Sequence, residues 1–89
     1  MFSSFGAETA RRYTKEGIAE ILHCFAEGTE YGMILRAKGI VAGEDGEWIH
    51  FDYVPGEPDV RVGTADVTGR ICVIGSELDK EKIALLFGV

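Results

Sequence analysis

The chain has little cysteine, little proline and no long apolar run, and each shortage removes a class of protein. Its two cysteines, Cys24 and Cys72, stand far apart and form no CxxC pair. Neither a disulfide framework nor a cysteine-rich zinc site is therefore indicated, and reduced thiols are expected. With only two prolines and no low-complexity tract, nothing marks a linker within the 89 residues. Residues 1–89 read as a single domain, with room for one modest core and none for a two-domain catalytic cleft. No apolar stretch approaches the ~20 residues that span a bilayer. The N-terminus lacks a basic segment followed by an apolar one, so no membrane partner and a cytoplasmic location are expected. Basic residues are also in deficit: 9 Lys and Arg against 15 Asp and Glu leave a net charge of -6. An acidic surface repels phosphate backbones, which argues against nucleic acid as a partner.

What is present is ordinary for a globular chain, with 46% hydrophobic and 27% charged residues. Phe2, Phe5 and Tyr13 around Gly6 predict a first strand, bulged or at an edge. Thr14 is placed to cap a helix whose Ile18, Ile21, Leu22 and Phe25 recur at helical spacing before Gly28 stops it. Strand Met33 to Val41, turn Ala42 to Glu47 and strand Trp48 to Val54 form a hairpin. Pro55 and Gly56 suit the centre of a type II turn, after which Val60 and Val62 begin a short strand. A turn near Thr68 and Gly69 leads into "RICVIGS", apolar enough for a central strand with both faces at least partly covered. Ser76 and Asp79 open a last helix that turns Ile83, Leu86 and Phe87 inward and leaves Leu85 outside. The order β-α-β-β-β-β-α predicts an α+β fold, a two-layer sandwich in which an antiparallel sheet of four to five strands carries two helices on one face.

"YGMILRAKGIV", residues 31–41, sets two cations within an otherwise apolar strand. By alternation Met33, Leu35, Ala37 and Val41 share the core face, while Ile34, Arg36, Lys38 and Ile40 share the other. The expected hairpin register sets Arg36 opposite Asp52, Lys38 opposite His50 and Ile40 beside Trp48, with Leu35 and Ala37 facing Tyr53 and Phe51 in the core. Read plainly, these charges line a solvated face on which each pair contributes about 0.2–1 kcal/mol. Trp48 among them favours a second reading, a docking surface made of Arg36, Lys38, Trp48, His50 and Asp52, since aromatic and Arg side chains are favoured at interfaces.

Chemistry beyond recognition finds little support in the residue pattern. His23, Cys24, His50 and Cys72 are the only His and Cys residues. His23 and Cys24 are neighbours on a helix, directed about 100° apart, and cannot share a metal as an i, i+4 pair would. His23 is expected to be exposed, Cys24 to sit at the border of the apolar stripe, and Cys72, inside an apolar strand, to be buried and inert. Glu47 and Asp52 near His50 offer no third orienting group for acid–base work. No catalytic residue, metal ligand or cofactor is assigned.

Four blocks, "YGMILRAKGIV", "GEWIHFDYVPGE", "GRICVIGSELD" and the closing "LLF", resemble in order and spacing the C-terminal domain of the CobW family of GTP-dependent metallochaperones. The resemblance runs from Glu30 to Phe87; the first strand and helix match in type only. Proteins of this family join a P-loop GTPase domain to a smaller α+β domain, and are associated with delivering metals such as zinc or cobalt to client proteins or cofactor pathways. The chain lacks a GxxxxGK loop followed by Ser or Thr, a Walker-type Asp after a strand, and a CxCC motif. The resemblance therefore implies a non-enzymatic regulatory or partner-binding domain, whose partners would be a GTPase domain in cis or in trans and a client protein, with self-association left open. The alternative is a stand-alone module that binds a small ligand or metal through the Arg36, Lys38, Trp48 and His50 face.

Overall fold

The computed structural model describes residues 2–89. Strands β1 (Phe2–Thr9) and β2 (Arg12–Tyr13) lead into helix α1 (Lys15–Glu27). Four strands follow, β3 (Met33–Gly43), β4 (Trp48–Val54), β5 (Glu57–Gly63) and β6 (Gly69–Ser76), and helix α2 (Lys80–Phe87) closes the chain. The expected first strand is thus divided. The Thr9 hydroxyl accepts the Arg11 N–H at 3.0 Å, a local bond that turns the chain out of the ladder. Beyond it, Arg12 and Tyr13 pair parallel with Ala42 and Gly43 of β3.

The main sheet runs β1-β6-β3-β4-β5, every neighbour antiparallel. Because β1 and β3 both run antiparallel to β6, they point the same way, and α1 is the crossover between them. β6 is an interior strand, as its apolar run suggested, but only its helix-side face is buried: Arg70 and Ile74 on the other are exposed.

Both helices lie on one face, as expected. Thr14 caps α1, its hydroxyl accepting from Gly17 N–H at 2.9 Å. Asp79 caps α2 by accepting from Lys82 N–H at 3.1 Å. Ser76, expected to share in that start, instead ends β6. Ile18, Ile21, Leu22 and Phe25 of α1 and Ile83 and Phe87 of α2 are buried against Ala37, Val41, Ile49, Phe51, Tyr53, Ile71 and Val73 of the sheet. Aromatic rings bind the layers together: Phe51 stacks on Phe87 with centroids 6.1 Å apart, and Phe25 meets Tyr53 at 6.2 Å and Phe87 at 6.1 Å. Leu86 is half-buried against this core and Leu85 is exposed. Gly56, with φ +83°, takes the left-handed position that a type II turn requires after Pro55.

Two expectations in the hairpin are corrected. Strand β3 continues through Gly43, whose N–H donates to Glu47 O at 2.6 Å. The loop is consequently shorter than expected, and the pairing slides by two residues: Ala37 faces Tyr53, Lys38 faces Asp52, Gly39 faces Phe51, Ile40 faces His50 and Ala42 faces Trp48. A slip of two preserves which side chains share a face. The second correction is a bulge between Ile34 and Arg36. It buries Ile34 instead of Leu35, which is half-buried, and turns Met33 out to 65% exposure. The extra residue lets Ile34 and Ala37 both face the helices while Arg36 and Lys38 remain outside.

Candidate functional site

The sheet face away from the helices carries most of the functional candidates, and its layout follows from register alone. In the order β1, β6, β3, β4, β5, one row reads Glu8, Arg70, Ile40, His50, Arg61 and the next reads Gly6, Cys72, Lys38, Asp52, Asp59. Beyond them lie Ser4, Ile74 and Arg36, then Phe2, Ser76 and Met33. Trp48 stands at the opposite end between Ala42 and Gly63.

Strand order gives this face its relief. β5 is an edge, whereas β6 lies on the far side of β4 and β3, so the connection through residues 64–68 has to pass those strands. In crossing, Thr64 O accepts from His50 Nε2 at 2.8 Å, and Asp66 comes to line the same concavity as Lys38 and His50. A Cβ at Gly63 would lie 2.5 Å from His50 Nε2, so only glycine lets the strand approach the ring so closely. The result is a groove of about 700 Å³ lined by Gly6, Glu8, Lys38, Ile40, His50, Asp52, Arg61, Asp66, Arg70 and Cys72, among others.

Charges on the face are unequally compensated. Arg36 holds Asp52 with two bonds, Nε to Oδ1 and Nη2 to Oδ2, each 3.3 Å. The ion pair expected between these residues forms, but diagonally, since Asp52 stands opposite Lys38. The expected partnership of Lys38 with His50 does not form: the register sets His50 opposite Ile40, and its Nε2 donates to Thr64 O. Arg61 Nη1 pairs with Asp59 Oδ2 at 2.5 Å. Lys38 and Arg70 have no ion-pair partner among the described residues.

Of the residues singled out from the sequence, Lys38, His50 and Asp52 come together in the groove, Arg36 lies beside it and holds Asp52, and Trp48 sits half-buried at the margin. Sequence reasoning missed Glu8, Arg61, Asp66 and Arg70. Arg61 lies between Val60 and Val62, and Arg70 stands second in β6, whose residues Ile71 and Val73 point inward, so alternation alone carried a signal for both. Cys72, expected to be buried, is half-buried on the open face and lines the groove. Both cysteines are free. Among the described residues no three His, Cys, Asp or Glu side chains are grouped as a metal site, and no helix is long and apolar enough to cross a membrane.

A sheet covered by two helices on one face and crossed on the other by residues 64–68 defines a two-layer α+β sandwich. Its kind is specific: residues 2–88 match the family described as the cobalamin synthesis protein CobW C-terminal domain, and the chain belongs to that family. Among solved structures, a Zn(II)-bound triple mutant of the YjiA GTPase superposes with a TM-score of 0.78 at 18% identity, covering 98% of this chain and 29% of that one. The Zn(II)-bound YjiA GTPase from E. coli gives 0.73 at 20% identity with the same coverages. These likenesses concern the fold, and this chain spans less than a third of either protein. No curated protein sequence matches the chain significantly.

Proposed function

We propose that this chain is a non-enzymatic interaction or regulatory domain that works in the cytoplasm beside a GTPase domain, in cis or in trans, in the delivery of metal to a client protein. The open sheet face is its docking surface. The observation that carries this reading is the match to the CobW C-terminal family in a chain without nucleotide-binding motifs. The surface fits the role, because Arg36, Lys38, Asp52 and His50 supply polar contacts, Trp48 a half-buried aromatic anchor, and Phe2, Met33 and Ile74 exposed apolar area.

The test is calorimetric titration against a purified GTPase domain of the same family and organism. Arg36→Ala and Lys38→Ala should leave stability almost unchanged, because exposed pairs contribute little, yet weaken association, most visibly at low salt. Trp48→Ala should weaken it more than either. The docking surface is refuted if all three variants bind like the parent chain. Saturable micromolar binding of a GTP analogue by this chain alone would refute the non-enzymatic part.

A further inference from the structure

We infer that the groove on the open face binds a small organic oxyanion, a single carboxylate or phosphate carried on an apolar body, between Lys38 and Arg70. Three independent features point to such a ligand.

The first is a pair of cations without direct ion-pair partners. The neighbouring cations Arg36 and Arg61 are neutralised by Asp52 and Asp59. Asp52 stands opposite Lys38 in register, but both of its oxygens are turned to Arg36. Glu8 stands opposite Arg70 and makes no ion pair with it. Among the described residues Lys38 and Arg70 are thus the groove-lining cations held in no direct ion pair, in a lining whose carboxylates are Glu8, Asp52 and Asp66.

The second is spacing. Lys38 faces Cys72 and Arg70 faces Ile40, so the cations are diagonal neighbours on adjacent strands. Diagonal positions lie roughly 7–8 Å apart, close enough for two long side chains to converge on the oxygens of one anion.

The third is room. Gly6, opposite Cys72, has no positive φ, and a Cβ built on it would meet nothing nearer than Ile71 O at 4.0 Å. The backbone does not demand glycine there, yet any side chain would project into the groove. The vacant position, with Ile40 and Cys72, leaves an apolar floor of the size that suits a small molecule. Glu8 and Asp66, which also line the groove, disfavour a further anionic group, so a ligand with one carboxylate or phosphate group is favoured over a polyphosphate.

The inference does not depend on a GTPase domain docking, and its test uses this chain alone. Backbone amide spectra are followed by NMR at constant ionic strength while benzoate, phenyl phosphate or inorganic phosphate is added. The two aromatic anions should produce saturable shifts centred on residues 38–40 and 70–72. Lys38→Gln and Arg70→Gln should each weaken binding about tenfold, the usual order for a charge-assisted hydrogen bond. Glu8→Gln should tighten it. Gly6→Val should abolish it while the dispersed spectrum shows the fold intact, and Lys80→Gln, remote from the groove, should bind like the parent. Shifts scattered over all surface cations, or unchanged affinity in the Lys38 and Arg70 variants, would overturn the site. Equal affinity for inorganic phosphate would overturn the apolar body of the ligand.

Discussion

A single hydroxyl shows how far apart in the chain the deciding partners can be. Buried Tyr13 donates its O–H to Phe87 O at 2.6 Å, across 74 positions of sequence. It satisfies a carbonyl at the end of α2, where no further turn can do so. Arg11 lies over the same ring at 5.8 Å. Burial raises the Tyr13 pKa above its ordinary value near 10, against the opposing pull of Arg11. The folded state therefore holds the phenolic proton more tightly than the unfolded chain. Tyr13 contributes its full stability below pH ~10 and loses it as pH climbs through the raised folded-state value. Tyr13→Phe should cost about 1 kcal/mol in urea denaturation at pH 7. It should also flatten the decline of stability above pH ~10 relative to the parent. An unchanged alkaline profile would mean that another group governs it. The sequence placed Tyr13 in the first strand region, and nothing local to it pointed to the far end of the chain.

Among the elements, those written in a local period were the easiest to recognise. The α1 stripe repeats at helical spacing between a capping Thr14 and a terminating Gly28, and the structure reproduces it. In β3 the local rule is broken, because the bulge exchanges Ile34 for Leu35 in the core. Strict alternation cannot foresee which residue will be doubled. Gly39 marks how tightly this strand is held: a Cβ there would lie 2.5 Å from Arg70 O and 2.6 Å from the Phe51 ring. Gly39→Ala should accordingly destabilise the fold by roughly 1–3 kcal/mol through overpacking. Phe51→Ala, which empties the space between sheet and α2, should cost roughly 3–5 kcal/mol. Equilibrium denaturation decides both, and a loss within error for Phe51→Ala would contradict the burial of its ring.

At the scale of the whole molecule the acidic excess is unevenly spread. Arg36, Lys38, Arg61 and Arg70 gather on the sheet face, while most acidic residues lie on the helices and loops. Like charges on that outer layer repel one another. Raising NaCl from about 10 to 200 mM should therefore increase the melting temperature of the isolated chain by a few degrees, as screening shortens the Debye length from ~30 Å to under 10 Å. A fall in melting temperature would show that the attractive pairs, Arg36 with Asp52 and Arg61 with Asp59, outweigh the repulsion.

Local chemistry sufficed for the kind and order of the main elements, the Thr14 cap, the Pro55–Gly56 turn, the α+β class and the family, because periodicity, capping and turn preference act over a few residues. It sufficed also to put Arg36, Lys38, His50 and Asp52 on one face, since alternation survives a slip of two. The pairing register, the bulge, the division of the first strand and the insertion of β6 between β1 and β3 belonged to the tertiary structure. These depend on how two helices and a crossing loop fill space against the sheet, a condition on residues far apart in the chain. That is why Lys38 could be suspected from its own strand, whereas its neighbours in the groove, Gly6, Arg70 and Asp66, came from three other segments that only the folded sheet brings together.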